Sequence, residues 1–431
     1  MKHQLRVTRV ALIVGVLLTA SAALAGCGDD GAEGSDSTTL RVSVFGNFGY
    51  EKLYDQFEKD HPGVKIVETS EGDLGAYNTA LTQKIAAGAA PGDVVAIEEG
   101  QVVNFLQSAD KFVNFQDHGS NDKKDQWLPW KYAQATTSDG SDTIGLGTDV
   151  GGLAMCYRKD LFDAAGLPSD AESVKAMFAT WDSYFAAGDK FMTKANGAAW
   201  FDSAAQVFNA MHNQHELGYF DQQDKLVIET NPAIKSDWAA VTGAVAKGQS
   251  AKLPAWSKEW EAGVKAGAFA TKTCPAWMLG GIEKLGGPEV KGKWAVTEAF
   301  PGGGGNWGGS YLTVPKQSKN AKKAAELAAW LTAPEQQIKA FKAKATFPSQ
   351  VKALTDPALL EQTNAYFGDI KVGALFAAQA KKITAAQYKG PTDGQIQDTV
   401  VSAALLSVEQ GKSSADDAWK TAVAEAQKVA K

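Results

Sequence analysis

The side chains in this sequence that can do chemistry are carboxylates, amides and tryptophans. Twelve Trp among 431 residues is a high count, and flat indole rings often mark a surface that binds apolar faces. Carboxylates and amides bond well to hydroxyl groups. We expect ligand contacts where such residues follow predicted strands or lie in glycine-rich turns: Asn47, Phe48, Glu98, Glu99, Asp149, Trp200, Phe201, Asp202, Trp277, Asn306 and Trp307.

Each of these positions also has a purely structural interpretation. A single Trp packs in a core more often than it lines a binding surface. Asp202 and Ser203 stand where a predicted helix begins, and either could be its N-cap, so the Asp202 carboxylate could serve only as that cap. Glu98 and Glu99 are neighbours that cannot easily both face one cleft, and one of them could face solvent.

Familiar enzyme and metal motifs do not match this sequence. The run Gly302–Gly305 lacks the Gly-Lys-Ser/Thr of a phosphate-binding loop, and no Gly-x-Ser-x-Gly segment occurs. His212 and His215 stand three residues apart, which fits neither order of the zinc-protease motif. We expect no cofactor and no metal site.

The charge balance argues against nucleic acid as a partner. The formal net charge is −6, from 43 basic and 49 acidic residues. Removal of an N-terminal segment with Lys2, Arg6 and Arg9 leaves 40 basic residues and a net charge of −9. Binding to the phosphates of a nucleic acid requires clustered Lys and Arg. A chain with a net negative charge does not favour such binding.

The N-terminus has the pattern of a secretion signal. Residues 1–9 are basic, and an apolar run from Val10 to Ala25 follows, too short to span a membrane. Leu24-Ala25-Gly26-Cys27 resembles the lipobox of bacterial lipoproteins, although an ordinary signal with a chance Cys is the alternative. We therefore predict a signal peptide over 1–26, lipidation of Cys27 and a flexible tether over 27–39. The folded part would lie outside the cell, anchored to the outer face of its membrane.

Two further cysteines, Cys156 and Cys274, would then lie in an oxidising compartment. With Cys27 lipidated the remaining number is even, which favours one long-range disulfide. Two buried free thiols are the alternative, because Cys packs well as a small apolar residue.

The elements that must position these side chains alternate along the first part of the chain. Strands at Leu40–Phe45, Val64–Glu68 and Asp93–Ile97 are separated by amphipathic helices at about 50–57 and 76–87. Such alternation is typical of a parallel sheet covered on both faces, with ligands beyond the carboxyl ends of its strands. Later elements are predicted at Thr143–Gly147, Tyr157–Ala165, Ala171–Gly188, Ser203–Gly218, Pro232–Lys247, Thr273–Met278, Ser310–Val314 and Ala321–Thr332, before a helical C-terminal region of about seventy residues.

Several segments resemble one family along almost the whole chain after the signal. YEKLYDQFEKDHPGVKI, KIAAGAAPGDVVAIEEG, GLAMCYRKDLFDAAGLP, CPAWMLGG, GGGGNWGGSYLTVP and KKAAELAAWLTAPEQQ are similar to carbohydrate-binding lipoproteins of ATP-driven bacterial importers. GGGGNWGGSYLTVP and AWFDSAAQVFNAM look most like actinobacterial proteins that bind cellobiose and cello-oligosaccharides.

The resemblance implies an α/β fold of the periplasmic-binding-protein type. Two lobes, each a mostly parallel sheet flanked by helices, would be hinged around a ligand cleft. We place the N-terminal lobe at 40–148 plus about 306–350, and the C-terminal lobe at 149–305 plus about 351–431. The chain would cross between them near Gly147–Gly152, near Pro301–Asn306 and within Ser349–Tyr366.

The same resemblance implies a monomeric binding protein that delivers a di- or oligosaccharide to the transmembrane subunits of an importer. In such proteins the first loop, the DVV strand end, the hinge and the PAWM segment contact ligand, which supports the candidate residues there. The alternative is a lipid-anchored glycoside hydrolase, because tryptophans with carboxylates also describe a catalytic cleft. A receptor for a metal or phosphate is a weaker third possibility.

Overall fold

The computed structural model describes residues 37–431. This part of the chain contains nine strands: β1 (Thr38–Phe45), β2 (Val64–Glu71), β3 (Val94–Glu98), β4 (Gly145–Gly147), β5 (Leu153–Arg158), β6 (Ala199–Phe201), β7 (Phe269–Pro275), β8 (Trp294–Thr297) and β9 (Ser310–Thr313). They form a five-stranded sheet of order β2-β1-β3-β9-β4 and a four-stranded sheet of order β6-β7-β5-β8. Only β9 runs against its neighbours in the first sheet, and only β5 does so in the second.

Helices cover both sheets. In the described residues they are α1 (Glu51–Asp60), α2 (Leu74–Ala86), α3 (Glu99–Leu106), α4 (Pro129–Gln134), α5 (Lys159–Ala165), α6 (Ala171–Met177), α7 (Trp181–Met192), α8 (Ala204–His212), α9 (Pro232–Ala246), α10 (Lys258–Ala266), α11 (Ala276–Gly286), α12 (Ala321–Leu331), α13 (Pro334–Lys344), α14 (Pro357–Leu360), α15 (Val372–Lys382), α16 (Asp393–Gln395), α17 (Ser402–Glu409) and α18 (Ala415–Val429). A π-helical turn, Ile396–Val401, joins α16 to α17.

The first sheet follows the predicted alternation. Leu40, Val42 and Val44 of β1 are buried, whereas the residues between them are not. Helix α1 covers this side with Leu53 and Phe57, which recur at helical spacing. The prediction of strand, helix and strand at the start of the chain is confirmed.

The second sheet differs from the prediction at its central strand. The helix predicted from Tyr157 starts only at Lys159, because Tyr157 and Arg158 complete β5. Every residue of β5 is buried, so the strand shows no alternation that would separate it from a helix. Strand β7 likewise starts at Phe269 and ends at Pro275, where α11 begins.

Two predicted helices are shorter than expected. The predicted helix 171–188 is interrupted after Met177, and α7 starts anew behind Thr180. Thr180 and Ser183 form a reciprocal capping box, which satisfies backbone donors at the new helix start. The helix predicted to Gly218 ends at His212.

A disulfide joins the two central strands of the second sheet. Cys156 of β5 and Cys274 of β7 are bonded, with their Cα atoms 5.5 Å apart and a sequence separation of 118. Both side chains are buried in one hydrophobic core. The predicted bridge is confirmed.

The chain passes from one sheet to the other through adjacent segments. The segment between β4 and β5 contains Gly151, whose carbonyl accepts a hydrogen bond from the Trp307 amide at 2.9 Å. A Cβ atom on Gly151 would lie 1.8 Å from the Trp307 carbonyl oxygen, so only glycine allows this approach. A third segment is adjacent, where the Val150 amide donates to Phe347. The lobe boundaries given above stay a prediction.

Candidate functional site

Glu98 ends the central strand β3 at the edge where the two sheets meet. Its carboxylate caps α3 by accepting a hydrogen bond from the Gly100 amide at 2.7 Å. Burial, reinforced by the neighbouring charge of Glu99, raises the pKa of Glu98 to about 8. A carboxyl group with this pKa holds its proton at neutral pH and can donate a hydrogen bond as well as accept one.

Glu99 forms an ion pair with Lys389, which comes from the C-terminal region packed on the second sheet. The carboxylate and ammonium are 2.7 Å apart, and both side chains are largely buried. Gln134 of α4 donates a further hydrogen bond to Glu99. Burial opposes the charge of Lys389, but the charge of Glu99 and its hydrogen bond with Lys389 favour the ammonium, and the Lys389 pKa is raised. The pair therefore links an element of each sheet.

Lys131 on α4 lies beside these carboxylates. The side chain is fully buried, and its Nζ has no hydrogen-bond partner among the described residues. The ammonium lies 3.9 Å from the ring centre of Tyr311, a cation–π contact. Burial lowers the Lys131 pKa to about 8, although Asp149 and the two glutamates favour its charge. Lys131 is as fully buried as Trp200, so in this arrangement its ammonium is a charge beside the site and has no surface open to a ligand.

Asp149 lies in the segment that joins β4 to β5, and its role in a hinge stays a prediction. It is buried, and its carboxylate accepts a hydrogen bond from the Thr148 hydroxyl at 2.5 Å. Burial raises the Asp149 pKa, and the charge of Lys131 opposes that rise. Asp149 thus belongs to the same charged group as Lys131.

Two tryptophans from distant parts of the chain meet at this place. The Trp277 indole N–H donates to the Trp307 carbonyl at 3.2 Å, and their ring centres are 6.2 Å apart at a right angle. Both side chains are half-buried. A Cβ atom on Gly308 would lie 3.4 Å from the Trp277 nitrogen and 3.7 Å from a Glu98 oxygen. Glu98 and Trp277 therefore both approach the glycine that follows Trp307, which brings three predicted residues to one place.

Asn306 fixes the backbone next to Trp307 through hydrogen bonds of its side chain. Its side-chain oxygen accepts from the Gly151 amide at 2.8 Å, and its nitrogen donates to the Gly308 carbonyl at 3.0 Å. The side chain is buried. It fixes the two connecting segments against each other, and we count it as a positioning residue.

Trp200 and Phe201 do not lie in this group. Both are 0% exposed. The Trp200 ring packs in an aromatic core, 5.3 Å from the ring centres of Phe162 and Tyr184. Trp200 lies on strand β6, which directs its side chain into that core, so neither residue offers a face to a ligand here.

Asp202 is buried and pairs with a lysine that lies near the Trp307 ring. Its carboxylate forms a buried ion pair with Lys272 at 3.0 Å and accepts a hydrogen bond from the Trp260 indole at 2.9 Å. It does not cap α8, where Ser203 is the N-cap residue and Glu409 accepts from the Ala204 amide. The Lys272 ammonium lies 5.6 Å from the Trp307 ring centre. Asp202 therefore holds residues that support the site.

The first-loop candidates serve the start of α1. The side chain of Asn47 accepts from the Gly49 amide at 2.8 Å and donates to Glu51 at 2.9 Å. Phe48 is buried against Phe45 and Tyr50 in the core of the first sheet. Asn47 is exposed and can turn to a ligand, whereas Phe48 presents little surface.

A metal centre has no support in residues 37–431, where no group of three His, Cys, Asp or Glu side chains is placed to hold an ion. His215 instead pairs with Asp237 at 2.6 Å, and His212 is buried against Tyr219. In the same residues, no helix is long and apolar enough to cross a membrane.

Lys131 and Lys389 were not predicted from the sequence. Lys131 stands between Trp130 and Tyr132, and Lys389 follows Tyr388, but an aromatic neighbour does not by itself mark a buried lysine, because lysines are usually exposed. Only the fold shows that they are buried beside carboxylates, so no local sequence signal identifies them.

Comparison with known proteins gives consistent matches over most of the chain. Residues 52–367 match a family described as bacterial extracellular solute-binding protein. The arabinooligosaccharide-binding protein of Bacillus subtilis (strain 168) is 27% identical over 344 residues, which are 75% of this chain and 76% of that protein. A crystal structure of an extracellular solute-binding protein of family 1 is 46% identical, with a TM-score of 0.83 over 91% of this chain and 100% of that one.

A more distant structure supports the fold alone. The binding protein associated with an ABC transporter of B. animalis subsp. lactis Bl-04, in complex with β-1,6-galactobiose, is 22% identical. Its TM-score is 0.75 over 91% of this chain and 98% of that one. The predicted α/β fold, with two sheets in the periplasmic-binding-protein arrangement, is confirmed.

Proposed function

The chain belongs to the family of bacterial extracellular solute-binding proteins, and from that premise we propose that it captures a neutral oligosaccharide for an ABC importer. The family consists of binding proteins, which excludes the alternative of a glycoside hydrolase. The ligand would lie where the two sheets meet, against Glu98, Trp277 and Trp307. The observation that carries this proposal is that Glu98 and Trp277 both approach Gly308, while the Trp277 and Trp307 ring centres lie 6.2 Å apart.

The chemistry of this group suits a sugar ring. A pyranose or furanose presents hydroxyl groups at its edge and C–H groups on its faces. Half-buried indoles cover the C–H faces at low entropic cost. Once the site opens, the carboxyl of Glu98 and the ammonium of Lys131, which has no hydrogen-bond partner in residues 37–431, would supply donors for hydroxyl oxygens, and Asp149 would supply an acceptor.

The balance of charges favours a neutral ligand. The buried cations Lys131 and Lys389 face the carboxylates Glu99 and Asp149 in the same group. A charged ligand would leave one of these groups unpaired in a buried place, which costs free energy. A neutral polyhydroxylated ligand can bond to them without changing this balance.

The site would open and close by movement of the sheets about the connecting segments near Gly151 and Phe347. The Glu99–Lys389 ion pair joins elements of both sheets and would form on closure. We propose that the closed protein then docks on the transmembrane subunits of its importer as a monomer, held at the membrane by a lipid on Cys27. Cys27 and the signal peptide lie outside the described residues.

The identity of the sugar is a further part of the proposal. Cellobiose and cello-oligosaccharides are the first candidates from the resemblance of the glycine-rich segment. Arabino-oligosaccharides are the second, because the Bacillus subtilis relative is named for them. Both cello- and arabino-oligosaccharides can stack on indoles. The side chains that hydrogen-bond to the ligand would therefore decide which of them binds.

A thermal-shift screen tests the proposal. The purified chain without its signal is melted alone and with each of about thirty neutral mono-, di- and oligosaccharides, including both candidate classes. A ligand that binds only the folded state at 100 times its Kd adds about 2.7 kcal/mol to the free energy of unfolding. We expect a raised melting temperature with at least one oligosaccharide and no shorter products by mass spectrometry. No shift with any sugar would overturn the proposal.

A further inference from the structure

Trp256 is an unusual residue beside the proposed site. It is 56% exposed, and only two other large apolar side chains in residues 37–431 are exposed, Val67 and Val351. Its backbone has φ of +71°, a left-handed conformation that is rare for a bulky residue. Such strain concentrates at places where a protein holds a side chain for a ligand.

The Trp256 ring packs on a buried side chain that is itself fixed by a hydrogen bond. Its centre lies 5.0 Å from that of Trp260, which is fully buried. The Trp260 indole N–H is bonded to Asp202 at 2.9 Å, and Asp202 is paired with Lys272. Because these contacts already restrict the Trp256 ring, its side chain loses little conformational entropy when a ligand stacks on it.

Trp256 also continues the aromatic surface of the site. Its ring centre lies 6.0 Å from that of Trp277 and is tilted by 36°, and Trp277 in turn lies 6.2 Å from Trp307. The three indoles run from half-buried at Trp307 and Trp277 to largely exposed at Trp256. Each indole has the area to cover one sugar ring.

We propose that Trp256 is an outer stacking position for a third or later sugar ring of an oligosaccharide whose inner rings lie against Trp277 and Trp307. This inference rests on the proposed function and deepens it. It assigns the protein to oligosaccharides of three or more units in preference to disaccharides.

A purely structural role for Trp256 would be to pack on Trp260 at the start of α10. Trp256 precedes the N-cap residue Ser257, and an apolar residue at that position commonly packs against the first turns. That role explains the contact with Trp260. It does not explain a large ring with more than half of its surface in solvent, nor the contact with Trp277.

The test is a calorimetric titration of the wild-type chain and the Trp256→Ala variant with cello-, arabino- and β-1,6-galacto-oligosaccharides of two to five units. In the series that the wild type binds, we expect its affinity to rise beyond two units. Trp256→Ala should lose about five- to tenfold in affinity for four units, as for the loss of an aromatic contact of about 1 kcal/mol. Its affinity for the disaccharide should stay within about twofold. Trp256→Phe keeps a stacking face and should retain most of the gain.

Two comparisons separate the loss of the Trp256 ring from other effects of a substitution on affinity. Val67→Ala removes an exposed apolar side chain on β2 and should leave every affinity unchanged. Because Ala and Phe at position 256 keep the same left-handed backbone, their difference reports the ring. Equal affinities of Trp256→Ala and the wild type for all lengths would overturn this inference while the proposed function stands. If the wild type binds no member of these three series, this inference falls, whereas the proposed function is decided by the wider thermal-shift screen.

Discussion

Glu99 and Lys389 are 290 residues apart in sequence and form a buried ion pair at 2.7 Å between elements packed on different sheets. Close to it, Gly394 lies against α3, so that a Cβ atom there would come within 2.5 Å of the Gln101 side-chain nitrogen. The segment around Gly394 therefore packs closely against α3. The proposed opening of the site would have to break this ion pair.

Removal of both charges of this pair should shift the ligand-free protein towards an open form. The double variant Glu99→Gln/Lys389→Met is preferred, because removing one partner alone leaves a buried charge that costs about 3–5 kcal/mol. Small-angle X-ray scattering should give a larger radius of gyration than for the wild type. The exposed pair Lys265–Glu289 supplies the control, with Lys265→Met/Glu289→Gln. An unchanged radius in the folded double variant would contradict a role of the pair in closure.

Glu98→Gln should make stability less sensitive to pH. The folded state raises the Glu98 pKa from 4.5 to about 8, so between these values it binds more protons than the unfolded state. The stability from this group is complete below pH 4.5 and is lost as pH rises towards 8. Melting curves should show no gain for Glu98→Gln at pH 4.5 and a gain of a few degrees at pH 8. Glu335→Gln, at an exposed position, should show no such trend. A constant difference at all pH values would refute the raised pKa.

The Cys156–Cys274 bridge should contribute substantially to stability. A cross-link over 118 residues restricts the unfolded chain strongly, and loss of a native disulfide typically costs about 2–4 kcal/mol. The double variant Cys156→Ala/Cys274→Ala should therefore unfold at lower denaturant concentration than the oxidised protein. Reduction of the wild type should give the same shift. Two freely alkylatable thiols in exported protein would show that the bridge does not form.

Cys27 is predicted to carry the membrane anchor. Cys27→Ala should move the protein from the membrane fraction of its host to the soluble fraction, or leave its signal peptide uncleaved. Mass spectrometry of the wild type should find an acylated N-terminal Cys27. A mature protein that starts at another residue without a lipid would rule out the anchor.

The sequence predicts the first sheet better than the second. Strand β1 alternates because one of its faces is less buried, and helix α1 shows its apolar stripe directly. Strand β5 is buried on both faces, and Tyr157, Leu161 and Ala165 happen to fit a helical spacing. Periodicity cannot separate the two structures there.

The grouping of the candidate residues was predictable only where the local sequence limits the backbone, and their contact with a ligand stays a prediction. Trp307 lies among glycines that allow close approach, and Glu98 follows a strongly apolar strand. Trp200 has the same residue type as Trp277 but faces a core, and only the direction of β6 decides this. Asp202 pairs with Lys272, seventy residues away, a contact that no local pattern encodes.

The most direct test of the account is the affinity of Trp277→Ala and Trp307→Ala for the oligosaccharide that the wild type binds best, measured by calorimetry and paired with a melt without ligand. Loss of a stacking Trp at the centre of a site costs about 2 kcal/mol or more, so we predict affinity lower by about thirtyfold with melting close to that of the wild type. Trp200→Ala is the control and should instead lower the melting temperature strongly, because it leaves a cavity in the core. Wild-type affinity in well-folded Trp277→Ala and Trp307→Ala proteins would contradict the account.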